Sequence, residues 1–397
     1  MTLETVERIE PARLESPSAD IIDVIAELSA SAAVLGKALH PMTAASLAGV
    51  VRIMNTYYSN LIEGHNTRPR DIERALSGEL DDDEGRRNLQ IEAAAHVRVQ
   101  AKVDSMAQDG TLPPPASSDF LRWLHLEFFH GAPASMLTLK HGDRSIDMTP
   151  GEWRNLPEHD VEVGRHIPPS SARVADFMRH FESRFRFDTM GPAARILAMA
   201  SAHHRFNYIH PFPDGNGRVS RLMSHAMAAE AGIGAHGLWS ISRGLARGLE
   251  SRTEYKAMMD HADTPRQGDR DGRGNLSEAA LQEFVFWFLR VCLDQVQFMS
   301  SLFDLNALSS RIHRYVQRHE TLKPEAGHML ESILLRGELE RGEAMRASGL
   351  PERSARRVLG ELIALGLLAS ETPKGKVSLR FPAHALEDLF PKLYPQS

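Results

Sequence analysis

The chain has 397 residues, of which 42% are hydrophobic and 25% charged, and its formal net charge is −6 at pH 7. This length and apolar content suffice for two or three packed domains and exclude a largely disordered protein. The acidic balance excludes non-specific nucleic-acid binding through net charge, so any contact with DNA must be local.

Amphipathic helices dominate the elements that the sequence predicts. Residues up to about Asp20 have no hydrophobic period and predict a poorly ordered tail. Val161–Pro169 alternates and contains Gly164, which predicts a short hairpin or an extended flap. Elsewhere up to residue 303, apolar residues recur at three- and four-residue spacing and predict helices. These are Ile21–Leu39, Thr43–Ile62, Asp71–Leu76, Leu89–Gln108, Asp119–Phe129, Ser171–Arg184, Ala193–Asn207, Arg218–Ala231 and Leu276–Phe303.

The region after Arg311 has a different pattern. Three short helical segments are followed by strand-like segments around a turn within Glu371–Arg380, an order that predicts a winged helix. Its charge is nearly balanced, so DNA binding, protein docking and dimerisation all stay open for it. Its cationic residues fall on the helix and wing that would face DNA: Arg353, Arg356, Arg357, Lys374, Lys376 and Arg380.

A glycine-rich loop leads into the helix predicted from Arg218. Gly215 and Gly217 flank Asn216, so several backbone N–H groups can face one concavity at a helix N-terminus, where phosphate binds. Arg218 and Arg221 are three residues apart and share a helix face, from which two guanidinium groups can bind a polyphosphate.

The same loop carries a base and an acid. His210 is the side chain there that can take up a proton near pH 7. Asp214 offers the oxygen ligand that Mg²⁺ prefers when phosphates and water complete its coordination. Each residue type alone is common in turns and helix faces, but their convergence within twelve residues favours a nucleotide site.

Residues 210–221 resemble the motif of the Fic family, His-x-Phe-x-(Asp/Glu)-Gly-Asn-Gly-Arg-x-x-Arg, at every specified position. Gly151–Arg154 and the Val161–Pro169 flap resemble the target-docking hairpin of that family, and the likeness extends over roughly residues 43 to 300. It implies a mainly α fold: a Fic helical core with a short β-hairpin flap, plus a C-terminal winged helix-turn-helix domain. The domains implied are 1–42 (tail and first helix), 43–305 (Fic domain, with inhibitory helix 43–64 and catalytic loop 210–221) and 306–397 (winged helix).

The resemblance also implies an activity. A Fic adenylyltransferase transfers AMP from ATP to hydroxyl side chains of Ser, Thr or Tyr in target proteins and in itself. His210 would deprotonate the target hydroxyl, and Asp214 would hold Mg²⁺. The nucleotide would be bound by Gly215, Asn216, Gly217, Arg218 and Arg221. Relatives that transfer a phosphate carry a lysine in place of Gly217, so this glycine favours AMP transfer.

Ser59–Gly64 resembles the inhibitory motif of the family, (Ser/Thr)-x-x-x-Glu-(Gly/Asn). Ser59 and Glu63 are four residues apart and share a helix face. By the resemblance, Glu63 would pair with Arg221 and force ATP into a non-productive pose. In some relatives the same glutamate orients water to remove AMP, and the sequence does not separate the two directions.

Other functions remain open at this stage. The scaffold could use another donor, such as UTP or CDP-choline, and nothing in the motif excludes one. The chain could instead be a DNA-binding regulator in which the Fic core is a nucleotide sensor. A homodimer is also compatible with the sequence.

The sequence predicts a cytoplasmic protein with no membrane contact. Its start lacks the basic and apolar regions of a signal peptide, and no run approaches the ~18 apolar residues of a membrane span. Cys292 is the only cysteine, which excludes an internal disulfide, and its apolar surroundings predict a buried structural thiol.

Overall fold

A computed structural model describes residues 4–141 and 144–394 of the chain. Every helix predicted up to residue 303 is present, with its ends shifted by a few residues. The helices are α1 (Ala19–Lys37), α2 (Pro41–Ile62), α3 (Pro69–Leu76), α4 (Glu84–Gln108), α5 (Ser118–Phe129), α6 (Ala134–Leu137), α7 (Val174–Arg184), α8 (Pro192–Ile209), α9 (Asn216–Glu230), α10 (Ile241–Arg247), α11 (Glu254–Ala262), α12 (Glu278–Leu302), α13 (Leu305–Arg318), α14 (Ala326–Arg336), α15 (Ala344–Ser348), α16 (Glu352–Ala364) and α17 (Ala383–Leu389).

The largest shift, at the start of α4, has a local cause. The Asp83 side chain accepts a hydrogen bond from the Arg86 N–H (2.9 Å), so the helix begins with a capped polar turn before its apolar period starts. Hydrophobic periodicity alone does not detect such a turn. The strands are β1 (Thr138–His141), β2 (Arg144–Asp147), β3 (Glu338–Leu339), β4 (Leu368–Ala369) and β5 (Val377–Leu379).

Two short extended regions lie in the middle of the chain. β1 and β2 pair antiparallel, with Leu139 opposite Ile146, and this hairpin was not predicted. Val163 and His166 form a single antiparallel bridge around Gly164, within the segment predicted as a hairpin or flap. The predicted segment therefore contains a turn closed by one bridge, and its description as a hairpin or flap stays a prediction.

The described residues divide into two compact units. The first comprises the residues up to Ala30 together with Asn55–Gly234 and Ser240–Gln295. Within it α9 packs against α8, α4 and α5, and α7 packs against α8. The predicted domain boundaries after residues 42 and 305 stay predictions.

The second unit comprises Ser31–Met54, Ala235–Trp239 and the described residues from Val296 onward. Within it α13 packs against α14 and α17, and α15 packs against α14 and α16. Its sheet has the antiparallel order β3-β5-β4. The three helices α14 to α16 and the β4–β5 pair follow the predicted order of elements, while the assignment to a winged helix stays a prediction.

The expectation of a poorly ordered tail before Asp20 is wrong for residues 4–18. Val6–Ile9 form a 3₁₀ turn, and the Ile9 and Ala12 side chains are fully buried. The Glu10 carboxylate accepts from His180 Nε2 (2.7 Å) and pairs with Arg184 (2.8 Å). These apolar residues have no period because each is buried singly within the first unit, and pattern analysis therefore misses them.

Two other expectations concern the core and the membrane. Cys292 lies in α12 with its side chain fully buried, which confirms the predicted structural thiol. Burial also raises the pKa of the Cys292 thiol. Within the described residues, none of the helices has the combination of length and apolar content that a bilayer crossing requires.

Candidate active site

The segment between α8 and α9 forms a loop fixed by unusual backbone conformations and by one side chain. His210 is left-handed (φ 51°, ψ 61°) where α8 ends, and Gly215 is left-handed (φ 79°) where α9 begins. The Phe212 N–H donates to Asn216 Oδ1 (2.9 Å), and Asn216 Nδ2 donates to the Phe212 carbonyl (2.8 Å). The Asn216 amide thus binds the loop backbone, and its role toward phosphates stays a prediction. The first N–H groups of a helix lack intrahelical acceptors, so the start of α9 can bind an anion.

His210 is placed for proton uptake. One nitrogen of its ring donates to the carbonyl of Asn207, which leaves the other as an acceptor in the neutral imidazole. Burial lowers the pKa of His210 to about 4, with further contributions from the positive charges of Arg154 and His166. The ring is therefore neutral at pH 7, the form that a general base requires.

Arg154 fixes the backbone around His210. Its guanidinium donates to the carbonyls of His210 (2.7 Å), Ile209 (3.1 Å) and Pro169, the last residue of the predicted flap. The Arg154 side chain is 1% exposed, and burial lowers its pKa to about 10. Because the N–H groups of a buried guanidinium need acceptors, Arg154 joins the end of α8 to the end of the flap.

His125 supports the loop from α5. The Gly151 N–H donates to His125 Nδ1 (2.8 Å), so Nε2 carries the proton and donates to the Asp214 carbonyl (3.2 Å). The His125 ring stacks on Phe212 with centroids 3.9 Å apart. Burial lowers the pKa of His125 to about 4, so the ring stays neutral in this contact.

Asp214 presents a half-exposed carboxylate. Its Oδ1 accepts from the Gly215 N–H (2.7 Å), and its Oδ2 lies 4.0 Å from Arg218 Nη1. The hydrogen bond fixes the orientation of the carboxylate, while its exposure leaves oxygen lone pairs accessible to a cation. The donor type and exposure therefore fit the predicted Mg²⁺ ligand.

Arg221 binds the two residues predicted to be inhibitory. Arg221 Nη2 donates to Glu63 Oε1 (2.6 Å), and Nε donates to Ser59 Oγ (2.9 Å). Nη2 also contacts the Ser59 carbonyl (3.3 Å). Although burial opposes the shift, the Arg221 and Arg218 guanidinium groups hold the pKa of Glu63 below its usual value. The Glu63 side chain is 32% exposed and lies just beyond the end of α2.

A buried chain of hydrogen bonds supports Arg221 from behind. Arg221 donates to the hydroxyl of Tyr255 in α11. Tyr255 then lies 2.8 Å from His203 Nε2, and His203 Nδ1 lies 2.9 Å from Ser224 Oγ. Ser224 donates to the Ser220 carbonyl (2.8 Å). Each group in this order donates to the next one, so Arg221 is oriented by a fully satisfied network.

Arg218 pairs with a different carboxylate, that of Glu92 in α4. The two side chains are each 7% exposed, and the guanidinium carbon lies 5.4 Å from the centroid of the Phe128 ring. Burial raises the pKa of Glu92 to about 7 against the opposing effect of Arg218, and the carboxylates of Asp214 and Glu63 add to the rise.

Gly217 lies against the Glu63–Arg221 pair. A Cβ at this position would be 2.5 Å from Glu63 Oε1 and 3.0 Å from Arg221 Nη1. The absence of a side chain therefore allows Glu63 to approach the start of α9.

The structure thus brings together all the residues predicted for the site and adds four that sequence reasoning did not assign to it: Glu92, His125, Arg154 and Tyr255. For Glu92, the sequence contains a pattern that predicts burial. Polar residues recur at every fourth position of α4, and all are buried: Glu92, His96, Gln100 and Asp104. A polar stripe of this kind on a helix with apolar neighbours predicts a buried polar network rather than a solvated face.

The cations predicted to face DNA are partly neutralised within the second unit. On α16, Arg356 pairs with Glu352 (2.5 Å) and Arg357 with Glu361 (3.4 Å). Near β5, Lys376 pairs with Glu338 (2.5 Å). These pairs reduce the positive potential available to nucleic acid, and DNA binding stays a prediction.

Residues 115–228 match the model of the Fic/DOC family. Over 82 residues the chain is 38% identical to proteins named protein adenylyltransferase Fic from Aedes aegypti and Drosophila melanogaster. That match covers 21% of this chain and only 16% of each relative, so the chain spans a small part of their length. Residues 115–228 are therefore similar to the Fic/DOC family, and sequence relatives of part of the chain carry the name adenylyltransferase.

Two solved structures share the fold. A Fic family protein from Desulfovibrio desulfuricans G20 matches 93% of this chain and 98% of its own, with a TM-score of 0.51 at 16% identity. Fic-1 from C. elegans matches 70% of this chain and 72% of its own, with a TM-score of 0.50 at 16% identity. At 16% identity, this structural similarity shows the fold alone. It confirms the mainly α fold class with small antiparallel sheets.

Proposed function

We propose that the chain is a protein adenylyltransferase that transfers AMP from ATP to hydroxyl side chains of proteins, itself included. The observation that carries the proposal is the set of groups around the start of α9. A neutral His210, a half-exposed Asp214 and two buried arginines converge there. A general base beside an anion-binding helix start is the combination that hydroxyl attack on a phosphate needs.

In the proposed reaction His210 takes the proton of the target hydroxyl. The hydroxyl oxygen forms a bond to the α-phosphorus of ATP, and the bond to the bridging oxygen toward the β-phosphate breaks. Pyrophosphate leaves with that electron pair, and AMP stays on the target. Arg218, Arg221 and the N–H groups at the start of α9 stabilise the phosphate charges, so catalysis is mainly positioning and electrostatics.

The residues present suit a magnesium ion. Asp214 would hold it, because its carboxylate is oriented by the Gly215 N–H and remains half exposed. When bound, the ion would supply positive charge to the phosphates of the nucleotide.

We further propose that Glu63 inhibits this activity. Its carboxylate binds Arg221, and Ser59 accepts from the same guanidinium, so the second arginine is occupied by the protein itself. A nucleotide would have to displace Glu63 before its phosphates could bind Arg221.

The test uses ATP labelled at the α-phosphate and the Glu63→Gly variant. We expect covalent label on the protein from this ATP and none from ATP labelled at the γ-phosphate. Adding His210→Ala should reduce labelling by at least about 10²-fold, the contribution of a general base. The exposed His130 provides the control substitution His130→Ala.

Three results would contradict the proposal. Label from the γ-phosphate would indicate phosphate transfer. Label from UTP and none from ATP would show that UTP is the donor. Labelling by the His210→Ala protein within about tenfold of the parent would falsify the role of His210 as general base.

A further inference from the structure

Glu92 has no part in the family motif, yet its buried pair with Arg218 lies inside the proposed site. Both side chains are 7% exposed and form a direct ion pair, although among the described residues Glu92 Oε1 makes no hydrogen bond of suitable geometry. A guanidinium is always charged in proteins, so its burial at this depth requires hydrogen-bond acceptors or an anion beside it. Glu92 supplies that anion from α4, a helix distant in sequence from the loop.

The surroundings of Arg218 leave it with capacity for a ligand. One face lies 5.4 Å from the centroid of the Phe128 ring, and Nη1 lies 4.0 Å from Asp214 Oδ2. Among the described residues, Arg218 Nε has no hydrogen-bond acceptor. A buried charged donor that lacks an acceptor destabilises the protein. A phosphate oxygen is a suitable acceptor for Arg218 Nε.

Glu92 differs from Glu63 in how easily it could move away. Glu63 lies beyond the end of α2 and is 32% exposed. Glu92 lies well inside α4 and is 7% exposed, and α4 packs against α9. An incoming phosphate could displace Glu63 into solvent, whereas displacing Glu92 would require movement of a packed helix.

We propose that Glu92 is a positioning residue of this site, whose carboxylate holds the Arg218 guanidinium in the orientation that the nucleotide phosphates require. The proposal rests on the proposed function and adds to it a residue outside the motif. Glu92 acts through Arg218 and need not touch the nucleotide.

The experiment measures ATP binding by calorimetry in the full chain with Glu63→Gly and His210→Ala, which removes inhibition and turnover. Adding Glu92→Gln, which keeps the shape and removes the charge, should weaken ATP binding about tenfold, the value of one hydrogen bond to a charged group. With Arg218→Ala also present, Glu92→Gln should have no further effect. A purely structural role would weaken binding in both backgrounds.

The matched control is Asp104→Asn. Asp104 is a second buried carboxylate on α4, and it binds His225 Nε2 (2.6 Å). This substitution should change ATP affinity by less than about twofold, which is within the spread expected for a site with no contact to the ligand.

If Glu92→Gln fails to fold by circular dichroism, Glu92→Asp replaces it. The shorter side chain keeps the charge, so weaker ATP binding that depends on Arg218 is again expected. Unchanged affinity in the variant, or tighter binding, would overturn the positioning role, and tighter binding would make Glu92 a competitor of the phosphates.

The two proposals fail in distinguishable ways. ATP binding without AMP transfer in the Glu63→Gly protein would overturn the proposed function and leave the Glu92 measurement valid. Absence of ATP binding in the parent protein would overturn both.

Discussion

Arg218 and Arg221 lie one turn apart on α9, and each meets a carboxylate in a different setting. Glu63 reaches Arg221 from beyond a helix end and keeps a third of its side chain in solvent. Glu92 reaches Arg218 from within a packed helix and is almost fully buried. A carboxylate that can move into water can regulate a cation, whereas one that cannot move can only orient it. The comparison supports the proposals of inhibition by the first pair and positioning by the second.

The largest expected difference between the two pairs is in how much each carboxylate contributes to the free energy of unfolding. Glu92→Ala leaves Arg218 buried without its anion, so we expect a loss of about 3–5 kcal/mol in the free energy of unfolding. Glu63→Ala should cost less, because Ser59 and Tyr255 still accept from Arg221 and water can enter. Thermal and urea unfolding of both variants measure the difference. Equal losses in the free energy of unfolding would mean that Glu63 and Glu92 contribute equally to stability, which would contradict the comparison.

The next effect is a gain of activity. Glu63→Gly should raise self-labelling from α-labelled ATP by about tenfold or more, because a hydrogen bond between charged groups no longer competes with the nucleotide. Adding Arg221→Ala should cancel the gain. If the double variant were as active as the single one, Glu63 would not act through Arg221.

The smallest effect concerns Ser59. Ser59→Ala removes the acceptor of Arg221 Nε and should loosen the Glu63–Arg221 pair, so labelling should rise about two- to tenfold. Combined with Glu63→Gly, it should add no further gain in the same labelling assay. A larger gain from Ser59→Ala than from Glu63→Gly would shift the inhibitory role from the carboxylate to the hydroxyl.

The sequence predicted the half of the site that is local. His210–Arg221 lie in one loop and one helix turn, where spacing alone determines which residues share a face. Ser59 and Glu63 share a face for the same reason, and the contact between Glu63 and Arg221 has the predicted partners. Nine helices up to residue 303 were predictable because their apolar residues follow the helical period, whereas the short helices α6, α10 and α11 were not predicted.

The rest of the site depends on tertiary packing. Glu92, His125 and Tyr255 come from α4, α5 and α11, and no short spacing relates these helices to the loop. A glutamate in a helix is usually solvated, so the only local sign of the burial of Glu92 is the four-residue polar spacing along α4. The segment before Asp20 was misjudged because Ile9 and Ala12 pack singly and form no pattern.

Gly217 places a constraint on any redesign of the proposed reaction. The space that a side chain would need there is held by the Glu63 carboxylate, 2.5 Å from where a Cβ would lie. Since the Glu63 carboxylate is the end of a flexible side chain, it would move away from a Cβ at residue 217 before the backbone shifts. A substitution at residue 217 intended to change the donor group would therefore also release Glu63 from Arg221. If both proposals hold, choice of donor and control of activity share one position, and neither can be varied there alone.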